Sequence, residues 1–377
     1  MPAVRVLWLT NDLPPRTGGI QQFVGNLLER VHPTTTVVIG PDAGAAGRAH
    51  DAGRTHRTVR APGSVLPTRA IRELTVTVAR DHRPEVLVLG ASWPLGELAG
   101  ALRTELGVPV VGLTHGLEAA LARAGTGRLL RRATRHLDAV TAISDWTSER
   151  LAAHLPAAPV RIPPGVDVDR FTPAVDGRAL RRRWGIEPDA PLVGCISRLV
   201  ARKGQDRLIA SWPAVHARHP DARLVLVGEG PAETRLRRML RAGPDRGIVL
   251  AGPVAWEDLP AAHAALDLFA MPCRTRLAGL DVEGLGIVYL EAQACGVPVI
   301  AGRSGGAPEA VVDRVTGTVV DGRDPRALAA AIDTWLADPA AREHAGVTGR
   351  AWAEQHWSWP AIAARFAALL DEVVAAR

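Results

Sequence analysis

Short apolar runs without alternation recur along the whole chain. In the first half they are VRVLWLT (4–10), TTVVIG (35–40), EVLVLG (85–90), VPVVGLT (108–114) and AVTAIS (139–144). In the second half they are PLVGCIS (191–197), RLVLVG (223–228), GIVLAG (247–252), LDLFAMP (266–272), VPVIAG (297–302) and GTVVDG (317–322). A strand with one wet face alternates apolar and polar residues, whereas a strand covered on both faces by helices reads as a continuous apolar run. Stretches such as 20–31 and 233–242, lying between the runs, read as helices. Strand and helix in alternation specify an α/β fold with a doubly wound parallel sheet, and the series occurs twice.

Length agrees with two domains. A chain of 377 residues, 47% of them hydrophobic, exceeds the usual size of a single core. Between the two series, RIPPGVDVDRFTPAVDG (161–177) is rich in Pro and Gly and reads as the interdomain linker. The only apolar run near the N-terminus, Val4 to Leu9 with Arg5 inside it, is too short for a signal peptide. Nothing later approaches the ~18 apolar residues of a spanning helix, so a cytoplasmic protein is expected. Three widely spaced cysteines, Cys195, Cys273 and Cys295, sit in apolar strings and read as core thiols rather than a disulfide framework or a metal cluster.

The charge is unevenly distributed. Residues 1–165 hold 19 Arg and 13 acidic residues, while the remainder holds 26 of each sign, so the first half carries the whole net charge of +6. That half is expected to meet an anionic partner. Aromatic residues are only 4% of the chain and the basic residues form no concentrated run, which disfavours a nucleic-acid-binding module. Among 45 basic residues the only lysine is Lys203. A lone lysine among arginines is either chance or retained for a compact ammonium that a guanidinium does not mimic.

Ligands of open parallel sheets bind beyond the carboxyl ends of the strands, so the residues after each run are the candidate site. After the first run, Gly18 and Gly19 stand where a loop becomes a helix, which frees amide groups and the positive helix end for an anion; a plain turn is the alternative. No lysine follows in register for a Walker A loop. After the first run of the second half, SRLVARKGQD places Arg198 and Lys203 ahead of a helix, a fork and a point charge suited to a diphosphate, or else a solvated charge pair. The stretch LDVEGLGIVYLEAQACGVPVIA (280–301) sets two carboxylates, Glu283 and Glu291, in a run that otherwise reads as core. A helix is expected from about Ile287 to Cys295, stopped by Gly296, with both carboxylates at or near its N-terminus. There they would accept hydrogen bonds from vicinal hydroxyls while loop amides remain free for phosphate or sugar oxygens, a pattern that describes a sugar nucleotide. Separation by a loop and a helical turn does not directly supply the ~5 Å carboxylate pair of a retaining glycosidase. His115 and Asp12 also follow strands; alone, each reads as well as a structural group.

The Glu-x7-Glu pattern, the Arg-x4-Lys pair and the Gly-Gly loop together resemble the retaining glycosyltransferases of family GT4. Within that family NDLPPRTGGIQ, THGLE, SRLVARKGQD and GLDVEGLGIVYLEAQACGVPVIAG are most similar to actinobacterial GDP-mannose-dependent mannosyltransferases acting on phosphatidylinositol mannosides. The likeness runs nearly end to end. Leu117 departs from it where a second His would follow the Gly, and RLAGLD replaces a Gly-richer loop before Glu283.

The resemblance implies a GT-B fold, two doubly wound Rossmann-like domains with parallel sheets facing across a cleft. It places an acceptor-binding domain at 1–165, a nucleotide-sugar-binding domain at 166–359 and a last helix at 360–377 packing back on the first. It also implies that Glu283 binds donor-sugar hydroxyls, Glu291 the ribose, Arg198 and Lys203 the diphosphate, Gly18 and Gly19 a phosphate, and His115 the sugar near its reacting carbon. The loop and helix start formed by Gly284, Leu285, Gly286, Ile287 and Val288 complete the donor site. The expected reaction is transfer of mannose from GDP-mannose in α linkage to a lipid acceptor. A soluble acceptor, or a sugar-nucleotide epimerase or hydrolase on the same fold, is the alternative.

No cofactor and no metal are expected, because Arg198 and Lys203 supply the counter-charge. Asp167 and Asp169 in VDVDR mimic a metal motif but lie in the linker. Arg128, Arg131, Arg132 and Arg135 at helical spacing form a basic stripe, which together with the surplus charge of the first half favours a peripheral enzyme at the inner face of the plasma membrane, with an anionic lipid as partner.

Overall fold

The structure is a computed structural model that describes residues 3–377 apart from 17, 117, 119–126 and 244–246. The chain divides into two compact units. Unit 1 is Met1–Pro164 with Trp359–Arg377, and unit 2 is Gly165–Ser358.

Unit 1 is built on β1 (Val6–Leu9), β2 (Thr36–Pro41), β3 (Arg57–Ala61), β4 (Val86–Leu89), β5 (Val110–Gly112), β6 (Ala139–Ala142) and β7 (Val160–Arg161). They form one sheet in the order β3-β2-β1-β4-β5-β6-β7, and every pairing is parallel. Unit 2 is built on β8 (Leu192–Ile196), β9 (Arg223–Val227), β10 (Ile248–Gly252), β11 (Leu268–Met271), β12 (Val299–Gly302) and β13 (Gly317–Val320). These pair in parallel in the order β10-β9-β8-β11-β12-β13. In each sheet the order reverses once, between β1 and β4 and between β8 and β11. The crevice at such a reversal is where open α/β sheets bind ligands.

The apolar runs are the central strands. All four residues of β1 are fully buried, and β4, β8 and β11 are buried along their whole length. Sequence reading misses only β3 and β7, both at the margins of the first sheet. An edge strand is not covered on both faces, so RTVRA can carry Arg57, Thr58 and Arg60 where a central strand carries valine. Arg60 is held by both oxygens of Asp51, at 2.9 and 2.7 Å.

The expected linker is only partly a linker. The chain leaves unit 1 at Pro164, but Val166 already pairs with Ser358 and Phe171 is 3% exposed in the core of unit 2. The last helix, Trp359–Ala375, belongs to unit 1, where Trp359, Ile362, Phe366 and Leu370 share a core with Trp8 and Phe23. Rings of Trp8 and Phe366 lie 5.7 Å apart and those of Phe23 and Trp359 6.1 Å apart. Fully burying a side chain such as Phe366 stabilises by about 1.5–3 kcal/mol. Cys195, Cys273 and Cys295 are free and buried, and burial pushes their thiols up to about 11, 12 and 12. Among the described residues no helix is long and apolar enough to cross a membrane.

Candidate active site

The residues after β8 and β11 build a buried, charged cluster in unit 2. From Ser197 the chain runs through Arg198 into a single turn, Ala201–Lys203, and then into the helix Gln205–Arg218. Gly204 makes the junction with φ 83°, and a Cβ there would lie 2.2 Å from the carbonyl oxygen of Pro272, just past β11. Only glycine tolerates both the left-handed backbone and that approach. The junction presses the Lys203 turn against the end of β11. Lys203 is 8% exposed, whereas Arg198 is exposed and has no ion-pair partner among the described residues.

Glu283 arrives on the loop after β11. Its backbone is fixed by Gly306, whose N–H donates to the Glu283 carbonyl at 3.0 Å, and by Ser304, whose hydroxyl accepts from the Glu283 N–H at 3.4 Å. Gly305, at φ 56°, passes so close that a Cβ would lie 1.9 Å from the same carbonyl oxygen. The side chain meets Lys203: Nζ to Oε2 is 2.7 Å, and Arg202 Nε stands 3.5 Å from the same oxygen. Burial pushes the Glu283 carboxyl up, but Lys203 and Arg202 together pull harder, and it is held below its ordinary value. It is a buried carboxylate that stays charged. Lys203 keeps further N–H donors, since an ammonium carries three.

A second ion pair braces this turn. Arg274 and Asp206, 8% and 6% exposed, face each other in a bidentate pair at 2.8 and 3.0 Å. The Arg274 N–H also donates to the Arg202 carbonyl at 2.8 Å. Sequence reading found neither Arg274 nor Ser304, because each gains its meaning from a partner distant along the chain.

The helix after the loop runs Ile287–Ala294, with Cys295 as its cap, close to expectation. Gly286, at φ 88°, precedes it, and Leu285 is 1% exposed and part of the core. Glu291 lies one turn into this helix, which starts at Ile287 as expected, and its Oε2 is 3.4 Å from Nε2 of the fully buried His263. Gly284, Gly286, Ile287 and Val288 are partly exposed, and the first amides of the helix have no intrahelical acceptor.

In unit 1, His115 follows β5 and its Nε2 lies 2.6 Å from the carbonyl oxygen of Gly90, at the end of β4. A carbonyl only accepts, so Nε2 carries the proton and the ring orientation is fixed. Phe23 meets the ring edge-on at 5.8 Å, and the His115 N–H donates to Glu118. Gly19 opens the helix Gly19–Arg30 with nothing within 4 Å of where a Cβ would stand, and a Cβ on Gly18 would meet only the end of Gln21. Neither glycine is demanded by packing against the fold, so the phosphate reading keeps its room. Asp12 accepts from Gln21 Nε2 at 2.7 Å. Leu117 lies outside the described residues.

Asp167 Oδ1 accepts from the Arg170 N–H at 3.1 Å, capping its own turn. The basic helix is Gly127–Thr134, so Arg135 falls beyond it, leaving Arg128, Arg131 and Arg132 exposed on the helix.

The profile of Glycosyltransferase Family 4 matches residues 17–170, and that of Glycosyl transferases group 1 matches residues 176–352. A GDP-mannose-dependent alpha-(1-6)-phosphatidylinositol monomannoside mannosyltransferase of Mycolicibacterium smegmatis is 46% identical over 97% of this chain and 98% of that one. A GDP-mannose-dependent monoacylated alpha-(1-6)-phosphatidylinositol monomannoside mannosyltransferase of Corynebacterium glutamicum is 41% identical over 97% of this chain and 98% of its own. Anabaena HepE in complex with UDP and glucose matches in fold with a TM-score of 0.77 at 22% identity, over 98% of this chain and 99% of that one. Sucrose-phosphate synthase from Thermosynechococcus elongatus does so with 0.78 at 24% identity, over 99% and 100%.

Proposed function

The chain belongs to glycosyltransferase family 4, and we propose accordingly that it transfers mannose from GDP-mannose, with retention of the α configuration, to a phosphatidylinositol monomannoside. The observation that carries this reading is 46% identity over nearly the whole chain to a protein of that activity. The buried Lys203–Glu283 pair at the sheet reversal of unit 2 supports it locally.

Each residue has a chemical task in this reading. Arg198 offers a free guanidinium fork, and Lys203 its remaining N–H donors, to the departing diphosphate. Amides of Gly284, Gly286, Ile287 and Val288 at a helix start add partial positive charge. Glu283, held charged, accepts from donor-sugar hydroxyls, and Glu291 takes the ribose hydroxyls. Gly18 and Gly19 expose amides to phosphate. His115, pinned through Nε2, contacts the sugar near the reacting carbon. Charge develops on the diphosphate as the glycosidic bond breaks, and groups already in place stabilise it without having to reorganise. In a water-excluded site, preorganised stabilisation of this kind usually lowers the barrier more than any other single effect.

The counter-charge comes from Arg198 and Lys203, so no metal is required. With GDP-mannose and the lipid acceptor, transfer is expected to proceed at the same rate in EDTA; a tenfold loss restored by Mg2+ would overturn metal independence. Thermal shift against a panel of sugar nucleotides should select GDP-mannose, and NMR of the product should show an α-linked mannolipid. Free mannose released without acceptor would instead mean a hydrolase.

His115→Ala is expected to abolish most transfer while leaving GDP affinity unchanged. A loss of GDP affinity matching the loss of rate would reassign His115 to nucleotide binding. The enzyme works as a peripheral protein at the inner face of the plasma membrane in this reading, a placement supported by the exposed Arg128, Arg131 and Arg132.

A further inference from the structure

One wall of unit 2 adjoins the Glu283 cluster, shares Arg202 and Asp206 with it, and adds chemistry that the donor reading leaves unassigned. A cavity of about 450 Å³ is lined by Arg202, Gln205, Asp206, Arg235, Arg276 and Asp281 among others. Cations outnumber anions around it. Asp206 is approached by Arg274 at 2.8 Å, Arg235 at 3.3 Å and Arg207 at 3.8 Å. Asp281 is approached by Arg276 at 3.2 Å and Arg202 at 3.6 Å. Five guanidinium groups thus share two aspartates; three of them, Arg202, Arg235 and Arg276, line the cavity beside those aspartates, and only Arg202 also reaches Glu283.

Arg276 and Asp281 are also the two ends of a closed loop. Their backbones exchange hydrogen bonds at 2.9 and 3.2 Å, and between them stand Leu277, Ala278, Gly279 and Leu280. Leu277 and Ala278, neither a glycine, sit in the left-handed region at φ 48° and 51°. Leu277 is 66% exposed and Leu280 46% exposed. One exposed leucine needs no explanation. Two on a strained tip, whose base walls a cationic cavity, share the composition of a surface that sits at a lipid interface.

We propose that unit 2 docks on an anionic phospholipid membrane through this wall, with a lipid phosphodiester in the arginine-lined cavity and Leu277 and Leu280 seated among the acyl chains. The proposal rests on the reading that the acceptor is a membrane lipid. Guanidinium forks match phosphodiester oxygens, and the surplus positive charge is complementary to the leaflet. A soluble phosphate would leave the leucine tip without a purpose.

Co-sedimentation of the full chain with vesicles of phosphatidylcholine, alone or mixed with phosphatidylinositol, tests this without any donor present. Combined Leu277→Ser and Leu280→Ser should weaken binding to mixed vesicles on the order of tenfold. Arg235→Ala should weaken it about fivefold, as expected for one arginine near an anionic leaflet. Both variants should keep the wild-type thermal shift with GDP, which verifies the fold, and wild-type transfer to a deacylated, water-soluble acceptor. Unchanged vesicle affinity in both variants would overturn the proposal, as would full competition by glycerophosphoinositol, which would make the cavity a soluble-anion site. Wild-type vesicle binding lost only when Arg131 and Arg132 become Ala would place docking in unit 1 instead. Failure of mannosyl transfer with vesicle binding intact would sink the substrate reading and leave this one standing.

Discussion

Lys203→Ala is expected to lower turnover by about 10² to 10³, the usual loss when one preorganised charge-stabilising donor is removed. Two effects add. The departing diphosphate loses its point charge, and Glu283 keeps only Arg202 at 3.5 Å as a close cation. A buried carboxylate deprived of its nearest ammonium is easier to protonate, so the Glu283 carboxyl rises from its lowered position. The acid limb of the pH–rate profile should therefore move to higher pH in the variant. The sign for stability is the same: a carboxylate with a depressed folded pKa stabilises the fold above its unfolded value, and that contribution fades as pH falls through the folded one. Lys203→Arg should recover only part of the rate, since a planar fork does not reproduce a compact ammonium packed against one oxygen. Turnover of the alanine variant within threefold of wild type would remove Lys203 from the mechanism.

Arg274→Ala should be the most destabilising of the single changes. It leaves Asp206, 6% exposed, without its bidentate partner, and removing one member of a buried pair costs about 3–5 kcal/mol. At roughly 2–4 °C per kcal/mol for a domain of this size, the transition of unit 2 should fall by about 6–20 °C in calorimetry. Arg235, at 3.3 Å but largely exposed, compensates little. Replacing both partners, Arg274→Met with Asp206→Leu, should restore most of the loss, because no uncompensated charge remains. A drop below about 1 kcal/mol for Arg274→Ala would mean that water or Arg207 takes over the carboxylate.

Burial on both faces is what made the fold legible. A central parallel strand must be apolar throughout, so β1, β4, β8 and β11 announce themselves, and with them the reversals where a ligand site belongs. Edge strands obey no such rule, and β3 went unseen behind Arg57 and Arg60. The site was legible as a set of residues rather than as contacts. Lys203 and Glu283 could be read separately as a diphosphate and a sugar ligand, but not as partners 2.7 Å apart, because loops after two different strands meet only once the sheet exists. Arg274 gave no signal at all in an arginine-rich chain. The helix start at Ile287 was legible from Gly286 and the apolar run, but the contact of Glu291 with His263 at 3.4 Å was not, because the two lie on different helices.

The closing helix Trp359–Ala375 sets an order of events during synthesis. Unit 1 begins to emerge first, yet the apolar face around Trp8 and Phe23 stays open until Trp359, Ile362 and Phe366 appear. All of unit 2, Gly165–Ser358, has to leave the ribosome in between. At the usual ~5–20 residues per second that is a delay of about 10–40 s. The second unit, continuous in sequence, is able to complete its core before the first, and a nascent chain stalled at Ser358 presents the unfinished face of unit 1 to chaperones.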